Sequence, residues 1–258
     1  MIAPDIGRAE RLLEDLTKES FYPAFNKLAE LRISQGGEKA KSAFRILQKS
    51  YSESDPVAMR LLADCLFLGL GTEKNTANAV KLLERAAELN DAEAAAKLAH
   101  LLYYGQYLKQ DIPRSVKYFR KAAEQNHPVA LYMLANLYFS GEYLDQDIGT
   151  ARTFFIKSAN LGNPKAIFYL AVMAQEGIGE EKDPLKAAKF FLEAAKRGDE
   201  RSQFNVALIY KNGIGLPKDL SAAEYWFQKA AEQGSEKAKR LWAVTVLENP
   251  DSTEEKRS

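Results

Sequence analysis

Cysteine is nearly missing from this chain: one thiol, Cys65, stands among 258 residues. One cysteine cannot close an internal disulfide, so the fold cannot depend on oxidation, and a cytoplasmic protein is the expectation. The alternative is a periplasmic or secreted chain whose signal peptide has been removed. Histidine is almost as scarce. His100 and His127 are the only two, neither has a second histidine at ligand spacing, and no metal site is legible. Charge of one sign is lacking as well. Thirty-six basic residues oppose 35 acidic ones for a net +1, which leaves no global field to draw nucleic acid or an anionic membrane. No segment reaches the ~18 apolar residues of a membrane span. The first residues, MIAPDIGRAERLLEDL, lack the basic start and apolar run of a secretory signal. The expectation is therefore no nucleic-acid partner, no membrane insertion and no cofactor.

What the chain does hold is a period. Asp55, Asp91, His127, Asn163, Asp199 and Ser235 fall 36 residues apart, each where a polar side chain can cap a helix. Pro56, Pro128 and Pro164 follow three of them, at a first helical position where proline costs nothing. Two small positions recur in register, one at Ala58, Ala94, Ala130, Ala166, Ser202 and Ala238, the other at Ala63, Ala99, Ala135, Ala171, Ala207 and Ala243. Gly69, Gly105, Gly141, Gly177 and Gly213 end this first helix. Asn75, Asp111, Asp147, Asp183 and Asp219 cap a second, which Asn90, Asn126, Gly162, Gly198 and Gly234 terminate. Each helix has about 14 residues, or roughly 21 Å. A lone helix pair cannot bury its apolar face, so such pairs must stack.

The reading is all-α: a solenoid of 36-residue helix-turn-helix repeats with about 14 helices, in one domain over 1–248. Regular repeats occupy 55–90, 91–126, 127–162, 163–198 and 199–234, with a degenerate repeat over 21–54. A half repeat at 5–20, where DIGRAERLLEDL matches DIGTARTFFIKS at 147–158, opens the array, and a capping helix at 235–248 closes it. Arg8, Arg11, Glu14, Asp15 and Lys18 are expected to give the first helix a charged outer side. Trp242 is expected to cover the final core. The alternative is an apolar patch on the last helix that supports weak self-association. The polar residues 249–258 are expected to be disordered.

The clearest unit lies at 199–234 and contains FNVALIYKNGIGLPKDLSAAEYWFQKAAEQG. Its pattern, A-x-Y/F-x-L-A-x-L-Y-x-x-G, then a G-I-G or G-L-G loop, then K-D/N-x-x-x-A-x-x-W/F-F-x-K-A-A-x-x-G, resembles Sel-one-like repeats (SLR). These are tetratricopeptide-like helical repeats. The resemblance covers 55–247 well and 5–54 loosely. It implies a right-handed α/α superhelical solenoid whose first helices line the concave side, and an adaptor or scaffold role in bacterial signalling or host interaction. One branch of the family, with two cysteines per repeat, is linked to penicillin binding and beta-lactamase activity; a chain with Cys65 alone does not support that branch. The loops GQYLKQD and GEYLDQD also depart from the pattern, placing Tyr107 and Tyr143 where the second loop glycine belongs.

No catalytic pairing rises above background. Cys65 lies among Leu62, Ala63 and Leu66, and a buried thiol is the reading rather than a nucleophile. The loops GLGTEK and GIGEEK follow no strand and are turns, not phosphate cradles. Variation on a fixed frame is more informative. Arg60, Asp64 and Phe67 of one unit, Lys97, His100, Tyr103 and Tyr104 of the next, and Tyr132, Asn136 and Phe139 of the third fall on the inner side that the resemblance implies. Phe67, Tyr103 and Phe139 share one repeat position; Asp64, His100 and Asn136 share another. Aromatics flanked by polar groups suit a partner surface; the alternative is that these rings pack between adjacent helices. Gln175 and Lys211 in the same aromatic row favour partial exposure. These ten residues are the candidate site of a non-enzymatic adaptor for a protein or peptide. An envelope-associated hydrolase or glycan-binding protein, or a structural subunit docking through its C-terminal helix, is the alternative.

Overall fold

A computed structural model describes residues 5–254, and among them every regular element is an α-helix. The order is α1 (Ile6–Lys18), α2 (Tyr22–Gln35), α3 (Gly37–Ser50), α4 (Pro56–Leu68), α5 (Thr76–Glu88), α6 (Ala92–Tyr104) and α7 (Ile112–Glu124). Then come α8 (Pro128–Ser140), α9 (Ile148–Asn160), α10 (Pro164–Glu176), α11 (Pro184–Lys196), α12 (Glu200–Asn212), α13 (Leu220–Glu232), α14 (Glu236–Glu248) and the short α15 (Pro250–Glu254). From α2 to α13 the helices form pairs, each first helix packing most extensively on the second helix that follows it. Where the sequence reads as one domain, contacts group into two compact units, Met1–His127 and Pro128–Ser258. In a repeat fold each pair touches only its neighbours, so contacts stay short in sequence and grouping of this kind arises readily.

The helix ends follow the polar and glycine positions. Asp91 Oδ1 accepts from the Ala94 amide at 2.6 Å, and Asp219 Oδ1 from the Ala222 amide at 2.8 Å. Ser235 stands at the N-cap of α14 but makes no capping hydrogen bond with its side chain, unlike the acidic caps. Gly69, Gly105, Gly177 and Gly213 terminate first helices in the left-handed region. Asn90 and Asn126, at φ 66° and 58°, do the same after second helices; asparagine tolerates this region better than most residues.

The core of each pair is a small residue on the first helix set against alanine and a large apolar residue on the second, leucine in α3 and α5 (Leu47, Leu83) and phenylalanine from α7 to α13. Ala135 clusters with Ala151 and Phe155, and Ala207 with Ala223, Phe227 and Ala230. Phe119, Phe155, Phe191 and Phe227 are completely enclosed, each worth about 2–3 kcal/mol of apolar burial. Trp226 lies half-buried against the cores on either side of it, and Trp242 packs on the last, as the sequence suggests.

Two terminal expectations are corrected. Glu14 does not belong to a purely outward charged face, because its carboxylate pairs with Arg32 of α2. Beside it Glu10 is buried and accepts from Lys39 Nζ at 2.6 Å and Arg32 Nε at 3.2 Å. The hydrogen bond from Lys39, assisted by Arg32, holds the Glu10 carboxyl below its ordinary value of 4.5. The expected disordered tail is also ordered at its start. Asn249 is buried, its amide donating to Glu224 Oε1 at 2.7 Å, and the Ser252 hydroxyl donates to Glu224 Oε2 at 2.8 Å. One carboxylate on α13 thus offers both of its oxygens to a polar segment, and α15 follows. The remainder of that expectation, 255–258, lies outside the described residues.

Gly215, at φ 79°, would place an added Cβ 2.4 Å from the Pro184 carbonyl oxygen, whereas Gly198, at φ 90°, has nothing within 4 Å. Gly215→Ala should cost more than about 2 kcal/mol and Gly198→Ala only about 1 kcal/mol, a difference that urea denaturation followed by circular dichroism resolves. Glu10→Gln, which keeps the shape but loses the charge, should cost about 1.5–3 kcal/mol at neutral pH. Because the folded Glu10 pKa is depressed, its contribution is present above the ordinary value and lost as pH falls through the folded one. The gap between the variant and the parent chain should therefore narrow as pH falls below the ordinary carboxylate value.

Candidate partner-binding site

In the first unit the candidates stand on α4 and α6, and the helix repeat divides them into structural and exposed sets. Lys97 Nζ reaches Asp64 Oδ2 at 2.8 Å, an ion pair that ties α6 to α4 one repeat back. Arg60 lies 3.3 Å from Asp91 Oδ1, the cap of α6, and its side chain is only 13% exposed. Arg60 therefore braces a helix start, which corrects its placement among surface contacts. Tyr103 is half-buried, its ring edge-on to that of Phe119 at 6.5 Å. Phe67, also half-buried, lies 5.3 Å from the ring of Tyr107 in the loop after α6, one repeat later. Tyr104 differs from these: it is 53% exposed, 4.4 Å from the exposed His100 ring one turn earlier and 4.8 Å edge-on from Tyr103. Leu68 and Tyr107 are exposed as well.

In the second unit Tyr132, Asn136 and Phe139 project from α8, and all three are half-buried. Phe139 sets its edge on Phe155 at 6.0 Å and on Tyr169 at 5.5 Å, while Tyr132 lies 6.0 Å from Tyr169. Phe155 and Tyr169 stack at 4.9 Å. These aromatics therefore pack between helices, the alternative that the sequence left open. Sequence reasoning missed two neighbours, Tyr169 and Arg201. The Arg201 guanidinium lies 3.9 Å over the Phe168 ring, and Arg201, Tyr132, Lys165, Arg197 and Glu200 help to line a cleft of about 470 Å³. No repeat signal marks Tyr169, because its counterparts are Met133 one unit earlier and Asn205 one unit later.

A second missed feature had a readable signal. Position 82 is leucine, where its 36-residue counterparts are Tyr118, Phe154, Phe190 and Trp226. Around Leu82 the structure leaves a cleft of about 560 Å³, lined by Phe44, Tyr51, Leu62 and Leu66 with Lys81 at its edge. The missing ring leaves apolar walls able to accept an apolar group.

The reactive candidates are occupied structurally. Cys65 is fully buried, and desolvation, aided by the Asp64 charge, pushes its thiol up to about 12, so it is not a thiolate at neutral pH. His127 Nε2 lies 2.9 Å from Glu93 Oε2, joining the end of the α7 turn to α6. That hydrogen bond, opposed by burial, holds the Glu93 carboxyl below its usual value. Among the described residues no three His, Cys, Asp or Glu side chains group as metal ligands, and no helix is long and apolar enough to cross a membrane.

The family model for the Sel1 repeat matches residues 56–91, 92–127, 128–163, 164–199 and 201–235. A Sel1 repeat protein from Oxalobacter formigenes is 28% identical, with TM-score 0.75 over 84% of this chain and 86% of that one. A protective antigen of uropathogenic Escherichia coli that displays an SLR fold is 26% identical, with TM-score 0.77 over 93% of this chain; the match spans 51% of that longer protein. An immunity protein from Pseudomonas aeruginosa shares the fold at 18% identity, TM-score 0.56 over 83% of this chain and 82% of that one. No curated protein matches the chain.

Leu82→Phe restores the ring that the sister units carry. It should raise stability by about 0.5–1 kcal/mol through added apolar burial, read as a higher urea midpoint with unchanged helicity.

Proposed function

Because the chain belongs to the Sel1 repeat family, we propose that it is a non-catalytic adaptor that binds a protein or peptide through the faces of its first helices. The observation that carries this reading is Tyr104, an exposed ring resting on His100, close to the Lys97–Asp64 ion pair on the same helix face. An aromatic anchor held by a helix loses little conformational entropy when it binds, and flanking polar groups fix the orientation of what it meets. Such a surface suits a peptide with an apolar side chain beside a polar or charged one. The concave placement of this face and a role in bacterial signalling, complex assembly or host interaction belong to the same proposal. The proposal also places the protein in the cytoplasm, on the strength of its single cysteine; immunoblotting of cell fractions tests that placement.

Tyr103 and Phe139 are poor probes of the surface, because truncating half-buried rings removes packing. Tyr104 and His100 are exposed and separate binding from folding. Proteins captured from the native host by the parent chain should be identified by mass spectrometry. The affinity of the captured partner for Tyr104→Ala and His100→Ala should then be measured by titration calorimetry. Tyr104→Ala should weaken binding about tenfold or more, with circular dichroism unchanged. Equal affinity for the parent chain and both variants would rule the site out.

A further inference from the structure

The cleft around Leu82 differs from its counterparts in more than one missing ring. Where the ring is present, it closes the space between successive second helices: Phe190 and Trp226 each pack on the core before and the core after. Leu82 falls short of this, and the cleft of about 560 Å³ between α3, α4 and α5 is what remains. Two rings are gained on its walls. Phe44 stands where the sister units hold Val80, Val116, Arg152, Ala188 and Glu224. Tyr51 stands where they hold Ala87, Ala123, Ala159, Ala195 and Ala231. The backbone provides for this second ring. α3 stops at Ser50 and the chain leaves the helix at Tyr51 (φ −58°, ψ 129°), whereas the sister helices run on through the matching alanines. Tyr51 is 41% exposed and lines the cleft. A cleft made by truncation alone would keep the walls of its sisters; this one replaces non-aromatic wall residues with rings. Gln48, Asn78 and Lys81 add polar groups to the lining. Lys81 is exposed and is the one charged residue among those that line the cleft.

We propose that this cleft takes an aromatic side chain of a partner polypeptide, with an acidic residue next to it in that partner's sequence set against Lys81. The occupant is a ring because four sister units fill the matching place with a ring of their own. Phe44 and Tyr51 offer it the offset and edge-to-face contacts that aromatic pairs prefer. A polypeptide brings the ring because the side-chain amides of Gln48 and Asn78 can both donate to and accept from a main chain. The acidic neighbour follows from charge complementarity with Lys81. None of the ten candidate residues of the first-helix faces lines this cleft, so it and the surface around Tyr104 stand or fall separately.

Amide NMR spectra of the full chain, titrated with the blocked peptide Gly-Trp-Glu-Gly, test this. The peptide should bind with a Kd below about 1 mM and shift the amide signals of Gln48, Tyr51, Asn78 and Leu82. Gly-Ala-Glu-Gly, which lacks the ring, and Gly-Trp-Lys-Gly, which reverses the charge, should each bind about tenfold more weakly or worse. Leu82→Trp restores the ring of Trp226. It should abolish binding while helicity is kept and the urea midpoint stays at or above that of the parent chain. Lys81→Glu, at an exposed position, should keep the fold and prefer the lysine peptide over the glutamate one. The proposal is overturned by an absence of shifts up to about 5 mM peptide, or by shifts confined to α6. Equal binding of the alanine peptide, unchanged binding by Leu82→Trp, or an unchanged preference in Lys81→Glu overturns it as well. Free indole-3-acetate binding as tightly as Gly-Trp-Glu-Gly would assign the cleft to a small aromatic acid and overturn the polypeptide.

Discussion

The fold rests on a close approach between two helices. A first helix presents alanine where its partner presents alanine and phenylalanine, so the backbones come near and the ring fills the space beside them. Dense packing of this kind leaves little room for a change of volume on either side. It explains why the small position is unbroken from Ala63 to Ala207 while the face around it changes freely. The glycine turns serve the same contact. Gly71 and Gly215 let a loop lie against the preceding second helix at distances that a side chain would forbid.

This constraint separates what was legible from what was not. Capping aspartates, terminal glycines and the alanine series are local signals repeated several times, and repetition made the helix pairs readable from the chain alone. Ser235 shows the limit of that reading: it holds the right position without making the bond, since a helix can start without its cap. The candidate site was legible only by subtraction, as whatever the repeat did not explain. Subtraction picked out Tyr104 and His100, which are exposed. It also gathered Arg60 and Phe139, because a residue that varies between repeats can still be enclosed by neighbours that vary with it. Arg60 is enclosed beside the Asp91 cap, and Phe139 beside Tyr169, partners that stand at non-equivalent repeat positions. Contacts between non-equivalent positions carry no period, and a sequence read for its period passes over them.

Burial also accounts for the silence of the reactive groups. Cys65 sits at a repeat position given to core side chains, so removal from water raises its pKa whatever stands nearby. Glu10 experiences the opposite balance, since two cations outweigh its desolvation. The same physical terms make one group inert and the other a brace for α1.

Tyr107 has a φ of 61°, in a loop whose relatives place glycine at the matching positions 71, 179 and 215. A tyrosine there holds its backbone in a region that L-residues enter at a cost of about 1 kcal/mol or more. Its ring does not recover that cost by entering the core, because it is 66% exposed. Its contact with the Phe67 ring at 5.3 Å offsets part of that cost, so one strained backbone position fixes a ring in the loop that packs on a neighbouring repeat with one side and leaves the other accessible.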